Sequence, residues 1–531
     1  MLKQIKKALG LGPINPLEGN TIIVNAETLE RRVALLEDGK LEEYNIEREG
    51  EVNLVGSIFK GRVKNIEPGL KAMFVDIGME KNAFLHFWDA IPAALDNSME
   101  EIQRDDRPNK KKKKQKPITS KDIPSIYPIG SEIMIQVSKG PIGTKGPRVT
   151  TNISLAGRYL VLMPFSDQFG ISRKIDDPRE RDRLRGIMQK LRVPEGMGII
   201  MRTVAQGQRA RHFLRDLDML LEQWYAVEDK RDNNPAPACV FQEPGLIERT
   251  ARDFLTDDVH NVICDDLETT EMMRGIAEKI SRRSKRRIQH YSTRSSIFDK
   301  IGVQKQIDEA FHRQVWLPCG GYIVIDETEA LIAVDVNSGR NRGGKDVDKT
   351  ILQTNIEAAQ EVARQLRLRN IGGLVVVDFI DMRNRKDQMA VYRAMKERLE
   401  KDKAKTQVLQ ISTVGLMEMT RQRLNESLQE TLYEPCEYCE GRGRVKTPFT
   451  MSVEIQRALN TTIARHQDEA GDLVIIVHPV VLERFKKEDS HILVELERRH
   501  TGRLIFRTDS ASHRERYKIV DSKTEKILAE A

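Results

Sequence analysis

The pattern of apolar and polar positions divides the chain into segments that predict strands and segments that predict helices. Residues 21–46 begin with an apolar run and continue around Asp38 and Gly39, which predicts two strands joined by a turn. Residues 55–87 consist of short β-type runs separated by Gly and Pro, a pattern typical of a small barrel. Residues 210–228 carry Leu and Trp at helical spacing, which predicts a helix.

The barrel pattern is interrupted by a polar segment at residues 98–128. This segment contains consecutive lysines, Lys110–Lys114, between Pro108 and Pro117. Such a block predicts a solvated loop, and a contact with RNA or DNA is the alternative interpretation. Strand-like sequence resumes at Glu132–Ser138, so the segment is interpreted as an insertion into the barrel.

Alternation of strands and helices is strongest between residues 320 and 419. The pattern predicts strands at Tyr322–Ile325, Ala330–Val336, Leu374–Phe379 and Val408–Ile411, and helices at Thr350–Arg369 and Gln388–Lys401. Because Leu374–Phe379 is almost entirely apolar, we expect it to be buried on both faces. A smaller α/β segment follows residue 443, with strands expected at Leu473–Val477 and Arg503–Ile505.

The composition favours a soluble protein with several compact cores. The 531 residues suggest three or four domains, and 31% of them are charged. No apolar run approaches the ~20 residues that a spanning helix needs, so no stable membrane insertion is expected. The net charge of +7 permits an anionic partner without requiring one. Residues 1–20 are interpreted as a basic extension, because their apolar run is too short for a secretory signal.

Polar residues end two of the predicted strands in the 320–419 region. Asp335 and Asn337 share one face of their strand, and Asp378 ends the next apolar strand. If the two strands are neighbours, the three side chains converge at one rim. Two carboxylates and an amide suit Mg²⁺, which activates water and neutralises charge on an attacked phosphodiester. The structural alternative is that the acids cap loops or pair with nearby arginines, namely Arg340, Arg342 and Arg383.

A second chemical signal is a Cys-x-x-Cys knuckle, formed by Cys436 and Cys439 and followed by two glycines, as in tight turns around zinc. Structural zinc needs four ligands, and Cys239, Cys264 and Cys319 form no second knuckle. The knuckle is therefore a half-site completed by a second chain, a redox pair or a metal-free turn. The half-site is the sharper inference, because a symmetric dimer brings two identical knuckles together.

Aromatic and basic residues alternate in the predicted barrel. Phe59, Phe74 and Phe84 lie among basic residues, which include Lys60, Arg62, Lys64 and Lys71. Single-stranded nucleic acids bind such surfaces, with bases stacked on rings and phosphates neutralised by cations. The alternative is that the rings belong to the core, and at least one is expected to do so. A further basic stretch, Lys279–Arg287, is interpreted as a solvated helix face or a phosphate contact.

Three long stretches and the knuckle resemble the ribonuclease E/G family. The stretches read GRVKNIEPGLKAMFVDIGMEKNAFL, GGYIVIDETEALIAVDVNSGRNRGG and NIEAAQEVARQLRLRNIGGLVVVDFIDM, and CEYCEGRGRV follows them. The resemblance implies a Mg²⁺-dependent endoribonuclease for single-stranded RNA, which leaves 5′-phosphate and 3′-hydroxyl ends and acts in the processing of rRNA precursors and in mRNA decay. It implies that Asp335 and Asp378 hold the metal, and that Asn337 orients the metal site or the scissile phosphate. The alternative is a non-catalytic protein that binds RNA through the barrel.

The resemblance also implies a multidomain α/β architecture. An RNase H-like domain is split by an S1-type OB barrel and a 5′-sensor region, and a DNase I-like catalytic domain, a zinc link and a small α/β domain follow. The expected boundaries are 1–20 for the basic extension, 21–51 and 236–310 for the RNase H-like parts, 52–151 for the barrel with its insertion at 98–128, 152–235 for the sensor, 311–432 for the catalytic domain, 433–447 for the zinc link and 448–531 for the last domain. The length is expected for the shorter branch of the family or for the catalytic half of the longer branch.

The family senses the 5′ end of its RNA, and the resemblance places this pocket on two stretches of the chain. Arg202 and Thr203 would grip a 5′-monophosphate through a charged fork and a hydroxyl, while Gly157 and Val161 help to build the pocket. The sequence departs from the family pattern after Thr203, where Val-Ala-Gln-Gly follows, and at Lys405, where an arginine is expected. Lysine keeps the charge and loses the bidentate geometry.

The resemblance implies further contacts in the barrel and at the knuckle. Phe74 and Phe84 match base-stacking positions, and Lys139 and Lys145 are candidate contacts for the RNA backbone. The two knuckle cysteines would bind Zn²⁺ shared between two protomers, which gives a homodimer that pairs into a homotetramer. A cytoplasmic location is expected, where the other three cysteines are ordinary thiols.

Overall fold

The computed structural model describes most of the chain in two compact units. The first unit ends at Thr431 and the second begins at Leu432. The described residues are 18–50, 54–91, 99–102, 121–141, 145–175, 177–253, 258–280, 282–293, 295–328, 330–341, 347–423, 427–465 and 471–531. The lysine block Lys110–Lys116 and the basic extension up to residue 17 therefore lie outside the described residues.

The described residues form strands and helices with the following bounds. The strands are β1 Asn20–Ala26, β2 Glu30–Glu37, β3 Lys40–Arg48, β4 Ile58–Glu67, β5 Ala72–Asp76, β6 Ala83–His86, β7 Met99–Glu101, β8 Glu132–Lys139, β9 Arg148–Thr150, β10 Leu155–Ala156, β11 Leu160–Pro164, β12 Phe169–Ser172, β13 Met197–Met201, β14 Ala238–Phe241, β15 Val259–Cys264, β16 Ile288–His290, β17 Gln314–Trp316, β18 Tyr322–Glu327, β19 Leu331–Asn337, β20 Gly373–Asp378, β21 Thr406–Val408, β22 Leu416–Arg421, β23 Leu473–Val477, β24 Leu504–Thr508, β25 Tyr517–Asp521 and β26 Ile527–Glu530. The α-helices are α1 Ile123–Ile126, α2 Pro178–Lys190, α3 Ala210–Asn233, α4 Leu246–Asp253, α5 Leu267–Ile280, α6 Arg282–Lys285, α7 Ile297–Ile301, α8 Val303–Ala310, α9 Val347–Leu368, α10 Arg385–Leu399, α11 Leu428–Leu432, α12 Pro448–Arg465, α13 Pro479–Lys487 and α14 Ser490–Arg498.

The first sheet combines two distant parts of the chain in the order β16-β15-β1-β2-β3. Its central strand β1 pairs in parallel with β15 and antiparallel with β2. Ile22 and Val24 pack on one face with α4 and α5, whereas Ile23 packs on the other face with α7 and α8. The turn predicted at Asp38 and Gly39 is confirmed, because it joins β2 and β3. The count of two strands in residues 21–46 was wrong, because the chain also turns at Glu27–Leu29 and β1 precedes that turn as a third strand.

The second sheet is a closed barrel of the OB type, in which β4, β5, β6, β9 and β8 pair in sequence and β8 returns to β4. β14 adds to its edge through β4, so the chain rejoins the barrel sheet at residues 238–241. The interruption at 98–128 was expected to be a loop, but its described parts are ordered. β7 pairs with β12 outside the barrel, and Ile123 of α1 is fully buried in the barrel core.

The third sheet has the order β10-β11-β13-β12-β7 and packs against the long helix α3. The prediction of a helix at 210–228 is confirmed, and α3 extends to Asn233. Its buried side chains recur at helical spacing and include Phe213, Leu217, Leu220 and Trp224. This packing fixes the loop at Gly157–Tyr159 against the helix.

The fourth sheet has the order β17-β18-β19-β20-β22-β21, with α9 and α10 packed on one face. The predicted strand pair β18 and β19, the helices α9 and α10, and the strand β20 are confirmed, whereas residues 409–411 lie beyond the end of β21. The expectation that Leu374–Phe379 is buried on both faces was wrong. Val375 and Val377 are buried, but Leu374 and Asp378 are exposed on the opposite face, which we call the open face.

The second unit is a small α/β sheet with the order β24-β23-β25-β26, covered by α12, α13 and α14. The predicted strands at 473–477 and near 503–505 are confirmed as β23 and β24. No helix in the described ranges of either unit is long and apolar enough to cross a bilayer.

Candidate active site, phosphate pocket and zinc knuckle

The structure brings the three candidate catalytic residues together on the open face of the fourth sheet. β19 and β20 are parallel neighbours, and Asp335 lies directly opposite Asp378 in their register. Both carboxylates are exposed, and Asn337 Nδ2 donates to Asp335 Oδ2 at 2.7 Å. The convergence expected for neighbouring strands is therefore confirmed as geometry. The Asn337 amide thus holds Oδ2 of Asp335, and Oδ1 takes no part in this hydrogen bond.

The loop after Asp378 is held by a buried residue that the sequence did not single out. Asn355 on α9 is fully buried, and its side chain donates to Ile380 O at 2.7 Å and accepts from Ile380 N at 3.1 Å. This two-way contact fixes the backbone of Phe379–Met382 against the helix. The only sequence signal was a polar residue on an otherwise apolar face of a predicted helix.

The structural alternative for the acids receives no support in the described residues. No ion pair there joins Asp335 or Asp378 to an arginine, although Arg342 lies outside the described ranges. Arg340, one of the expected partners, instead places its guanidinium carbon 5.4 Å from the centre of the Trp316 ring. The two carboxylates therefore face solvent at a strand end.

The donor set fits magnesium better than a metal that needs a complete protein cage. No group of three or more His, Cys, Asp or Glu side chains in the described residues is arranged to hold a metal ion. Magnesium binds through one or two carboxylates and takes water and phosphate oxygens as its remaining ligands. Asp335 and Asp378 have the geometry of such a pair, and their binding of Mg²⁺ stays a prediction.

The candidate phosphate-binding residues meet at one edge of the third sheet. Arg202 follows β13, and its Nη1 donates to Gly157 O at 2.6 Å and to Asp253 Oδ1 at 2.7 Å. The Thr203 hydroxyl lies 3.1 Å from the Ser172 hydroxyl. Val161 lies on the neighbouring strand, opposite Ile200 in the β11–β13 register. These four predicted residues share one local structure.

A buried acid shapes this pocket and was missed by the sequence reading. The carboxylate of Asp216 on α3 accepts from the backbone N–H groups of Arg158, Tyr159 and Leu160 at 2.8–3.0 Å. Burial raises the pKa of Asp216, while these three donors act in the opposite direction. A side-chain Cβ at Gly157 would lie 2.7 Å from the same carboxylate, so only glycine fits there.

Asp253 gives Arg202 an anionic partner within the pocket. Burial disfavours the ionised carboxyl of Asp253. The guanidinium groups of Arg252 and Arg202 have a larger, opposite effect and hold the pKa of Asp253 below its usual range. Arg202 is thus oriented by a carboxylate and a carbonyl. The orientation of Arg202 thus depends on a helix end 51 residues away, and its grip on a 5′-monophosphate stays a prediction.

The structure describes Lys405 and its neighbour Lys403 differently. Lys405 is exposed, and its backbone carbonyl accepts from Gln422 N at 2.9 Å. Lys403 interacts electrostatically with Asp253 and Arg202, and its Nζ lies 3.8 Å from Glu43 Oε2. Lys403 is therefore a cation near the phosphate pocket that the sequence reading did not select, while the role of Lys405 stays a prediction.

The knuckle has the local geometry of a metal-binding turn. The Gly443 backbone N–H donates to Cys439 Sγ at 3.3 Å. Backbone N–H groups of Cys439 and Tyr438 lower the pKa of Cys436, which favours the thiolate that binds metals. By contrast, burial raises the pKa of Cys239 and of Cys264. Cys436 thus differs from Cys239 and Cys264 in the direction expected for a metal ligand.

The barrel surface aligns the predicted RNA-contact residues across neighbouring strands. Phe74 lies opposite Phe84 with ring centres 5.8 Å apart, and both rings are half-buried. Phe84 lies opposite Arg148, which in turn lies opposite Lys139. Lys145 is exposed in the segment that leads into β9.

Other parts of the predicted aromatic and basic surface have structural roles. Phe59 is 6% exposed and belongs to the barrel core, which confirms that at least one ring is core. Lys60 pairs with Glu132 at 3.0 Å, and Lys64 pairs with Asp76 at 3.3 Å. In Lys279–Arg287 the described side chains begin at Ser284, so most of that patch lies outside the described residues.

Comparisons with known proteins agree with this arrangement. The model of the Ribonuclease E/G family matches residues 154–424. The chain is 38% identical to Ribonuclease G of Escherichia coli K12 over 476 residues, covering 90% of this chain and 94% of the relative. It is 34% identical to Ribonuclease G of Haemophilus influenzae over 500 residues, covering 94% and 99%. The chain belongs to the ribonuclease E/G family. Ribonuclease E of H. influenzae matches at 36% identity over 492 residues, covering 92% of this chain and 51% of the relative.

The ribonuclease E/G family match covers the phosphate pocket and the carboxylate pair. The matched residues begin just before Gly157 and end after β22 of the fourth sheet. The predicted family is therefore confirmed. The barrel and the knuckle lie outside the family model, although the matches to full relatives extend over most of the chain.

Proposed function

We propose that this ribonuclease E/G family member is a Mg²⁺-dependent endoribonuclease that cleaves single-stranded RNA, leaves 5′-phosphate and 3′-hydroxyl ends, and is stimulated by a 5′-monophosphate. Its place in the family makes it an enzyme that hydrolyses RNA and acts in RNA processing. The observation that carries the metal-dependent chemistry is the register of Asp335 opposite Asp378, with Asn337 bonded to Asp335 at 2.7 Å.

Asp335, Asn337 and Asp378 on the open face, supported by the buried Asn355, have different roles in the proposed cleavage. Mg²⁺ bound by Asp335 and Asp378 supplies a Lewis acid for the scissile phosphate and for the attacking water. Asn337 holds the Asp335 carboxylate in one orientation through its amide. Asn355 keeps the loop after Asp378 against α9, so the two carboxylates stay at a fixed separation. Such fixed positioning lowers the barrier because less reorganisation is needed in the transition state.

The third sheet supports recognition of a 5′-monophosphate by Arg202 and Thr203. Arg202 uses Nη1 for its contacts with Gly157 O and Asp253, and a guanidinium has five N–H donors, so further donors can reach a phosphate. Thr203 adds a hydroxyl beside Ser172. Gly157 and Val161 shape the wall, and Lys405 and the nearby Lys403 contribute positive charge to this end of the protein.

The barrel supports a path for the RNA strand. Bases stack on Phe74 and Phe84, whose rings meet edge to face on the surface. Lys139, which the register links to Phe84 through Arg148, and the exposed Lys145 neutralise backbone phosphates in this proposal. This path is of the S1 type that the sequence resemblance implies.

The knuckle supports a zinc ion shared between two copies of the chain. One chain offers two sulfur ligands with the backbone geometry of a zinc turn, and structural zinc takes four. Two chains related by a two-fold axis complete the site, which gives a homodimer and, by pairing of dimers, a homotetramer. The first and fourth sheets are the RNase H-like and DNase I-like parts of this proposal.

The decisive experiment compares two RNAs and one DNA oligonucleotide with and without Mg²⁺. We expect the wild type to cut a 5′-monophosphate oligonucleotide faster than a 5′-hydroxyl one, and to produce no fragment when Mg²⁺ is chelated. Asp335→Asn and Asp378→Asn should each reduce cleavage by at least about 10³-fold while RNA binding stays within a few-fold of the wild type. A DNA oligonucleotide of the same sequence serves as the third substrate.

Glu418→Gln is the matched control, because Glu418 is also an exposed acid on the open face of the same sheet. It should cleave at close to the wild-type rate. Wild-type rates for Asp335→Asn would show that the metal site is misplaced. RNA binding that weakens with salt and yields no Mg²⁺-dependent product would show a binding protein instead.

A further inference from the structure

An aromatic cluster lies on the same open face as the carboxylate pair. Trp316 on β17 is opposite Tyr322 on β18, and Tyr322 is opposite Asn337 on β19. Residues opposite each other in a sheet project to the same face. Trp316, Tyr322 and Asn337 therefore form one row across three strands, next to the row that contains Asp335 and Asp378.

The Trp316 ring is exposed and held in place at the same time. Its side chain is 53% exposed, which is unusual for the largest apolar side chain. The Tyr322 ring meets it edge to face, with ring centres 5.3 Å apart and an interplanar angle of 61°. The Arg340 guanidinium carbon lies 5.4 Å from the Trp316 ring centre, and Arg340 N donates to Gly320 O at 2.9 Å. Two neighbours thus fix the ring without covering it.

The separation between this ring and the carboxylates suits a strand of RNA. Neighbouring strands are about 4.8 Å apart, so Trp316 lies roughly 10 Å from Asn337 across two strand spacings. A nucleotide close to the phosphate held by Asp335 and Asp378 can place its base at this distance. Arg340 adds a positive charge over one face of the ring, and a guanidinium there can pair with a phosphate of such a strand while the other face takes the base.

We propose that Trp316, flanked by Tyr322 and Arg340, is a stacking platform for one base of the RNA close to the cleaved phosphodiester. The proposal rests on the function proposed above and assigns a substrate contact on the fourth sheet, separate from the barrel rings. Stacking is tolerant of base identity because every base has a flat π face. The platform fixes the distance between a base and the scissile phosphate, and so selects which phosphodiester enters the site.

The test is single-turnover cleavage of an oligonucleotide with one cut site, scanned with single abasic residues. We expect one abasic position near the cut to slow the wild type about tenfold. Trp316→Ala should slow cleavage of the intact RNA by about the same factor and be insensitive to the abasic residue at that position. Trp316→Phe should recover most of the rate, since a smaller ring still stacks.

Leu374→Ala is the matched control, because Leu374 is exposed on the same face of β20, at the end away from Asp378. It should cleave at the wild-type rate. Wild-type cleavage by Trp316→Ala, or equal slowing at every abasic position, would overturn the platform and leave the proposed function intact. A changed elution volume of Trp316→Ala on a sizing column would also overturn it, in favour of contact with a second copy. Absence of any Mg²⁺-dependent product from the wild type would instead refute the proposed function itself.

Discussion

Single residues that are far apart in the sequence determine the shape of the phosphate pocket. Gly157 and Asp216 are separated by three strands and a helix, yet the Asp216 carboxylate supports the backbone that follows Gly157. Because Gly157 has no side chain, the Asp216 carboxylate can lie close to its Cα. The pocket thus depends on a small residue on one element and an acid on another.

Gly157→Ala should disrupt this support. The new Cβ would lie 2.7–2.8 Å from both Asp216 oxygens, and three backbone N–H bonds prevent that carboxylate from moving freely. We expect the variant to fold with a loss of about 1–3 kcal/mol in the free energy of unfolding. The preference for a 5′-monophosphate over a 5′-hydroxyl RNA should fall several-fold, as measured by the ratio of cleavage rates.

Gly186→Ala provides the control for this prediction. Gly186 lies within helix α2, and no atom lies within 4 Å of the position that its Cβ would occupy. Alanine there should leave the end preference unchanged and raise stability by up to about 1 kcal/mol. An unchanged end preference in Gly157→Ala would contradict the role assigned to this glycine.

At the residue scale, the sequence identified the candidate catalytic side chains but not the buried polar residues that orient the backbone around the candidate sites. Asp335, Asn337 and Asp378 could be named because side chains alternate along strands and because apolar strands end at them. Asn355 and Asp216 could not, because a polar residue inside a helix is read from sequence as part of its solvated face. Only the packing of the helix against a sheet shows that each of them is buried and bonded to a backbone.

At the scale of elements, the helix α9 holds the loop at the end of β20, the strand that carries the candidate metal ligand Asp378. Asn355 both donates to and accepts from Ile380, and this contact crosses from the helix to the loop that follows β20. Helix, strand and loop therefore move as one body. Asn355 is a positioning residue, since it lies on the covered side of the sheet while the carboxylates lie on the open face.

Asn355→Leu should lower kcat more than it raises KM. The change leaves the N–H and C=O of Ile380 without their partner, at a cost of about 1–3 kcal/mol in the free energy of unfolding. The loop is then less well held, and we expect a roughly tenfold loss of kcat with RNA affinity nearly unchanged. Asn355→Asp keeps the acceptor for Ile380 N and should recover part of the loss.

Gln353→Ala tests whether any change on this helix has the same effect. Gln353 is exposed, and its amide donates to Glu357 at 3.1 Å on the same helix. Its removal should leave kcat and KM unchanged. A loss of kcat in Asn355→Leu that equals its unfolded fraction would indicate general unfolding and would contradict the positioning role.

Element prediction succeeded where the hydrophobic period was clear and failed where burial depended on distant partners. The strand pair β18 and β19 and the helix α9 follow their patterns closely. By contrast, β7 lies in a polar segment, and its three residues form a strand only because β12 offers a free edge. The apolar run of β20 suggested two covered faces, but Leu374 is exposed because the helices described for this sheet pack on its other face.

At the scale of the whole molecule, two compact units divide the chain at residue 431. The end of the catalytic domain at residue 432 stays a prediction. The knuckle cysteines belong to the second unit, whereas the carboxylate pair and the phosphate pocket belong to the first. A substitution in the knuckle therefore changes no residue of the carboxylate pair or of the proposed phosphate pocket.

Cys436→Ser should convert the assembly into smaller species. Serine does not replace the thiolate as a zinc ligand, so each protomer loses half of its contribution to a shared site. We expect bound zinc to be lost and the mass measured by light scattering to fall at least by half, with the far-UV spectrum unchanged. Treatment of the wild type with a strong chelator should give the same result.

Cys239→Ser is the control, because Cys239 is an exposed thiol on β14 with a raised pKa. It should keep the full zinc content and the wild-type mass. An unchanged mass together with full zinc content in Cys436→Ser would exclude a shared site. Unchanged mass without zinc would show that the chains associate through another surface.

The divided first sheet has a consequence for synthesis on the ribosome. β1 leaves the exit tunnel early, but its parallel neighbour β15 follows about 240 residues later, the separation between Asn25 and Asp265 across that seam. At 5–20 residues per second this is an interval of roughly 12–48 seconds. During that time the barrel and the third sheet can form, while one edge of β1 waits for its partner. Of the first sheet, the barrel and the third sheet, the nascent chain therefore completes the first sheet last, although its strand β1 is made first. During this interval β1 has an exposed apolar edge, where a chaperone would be expected to bind.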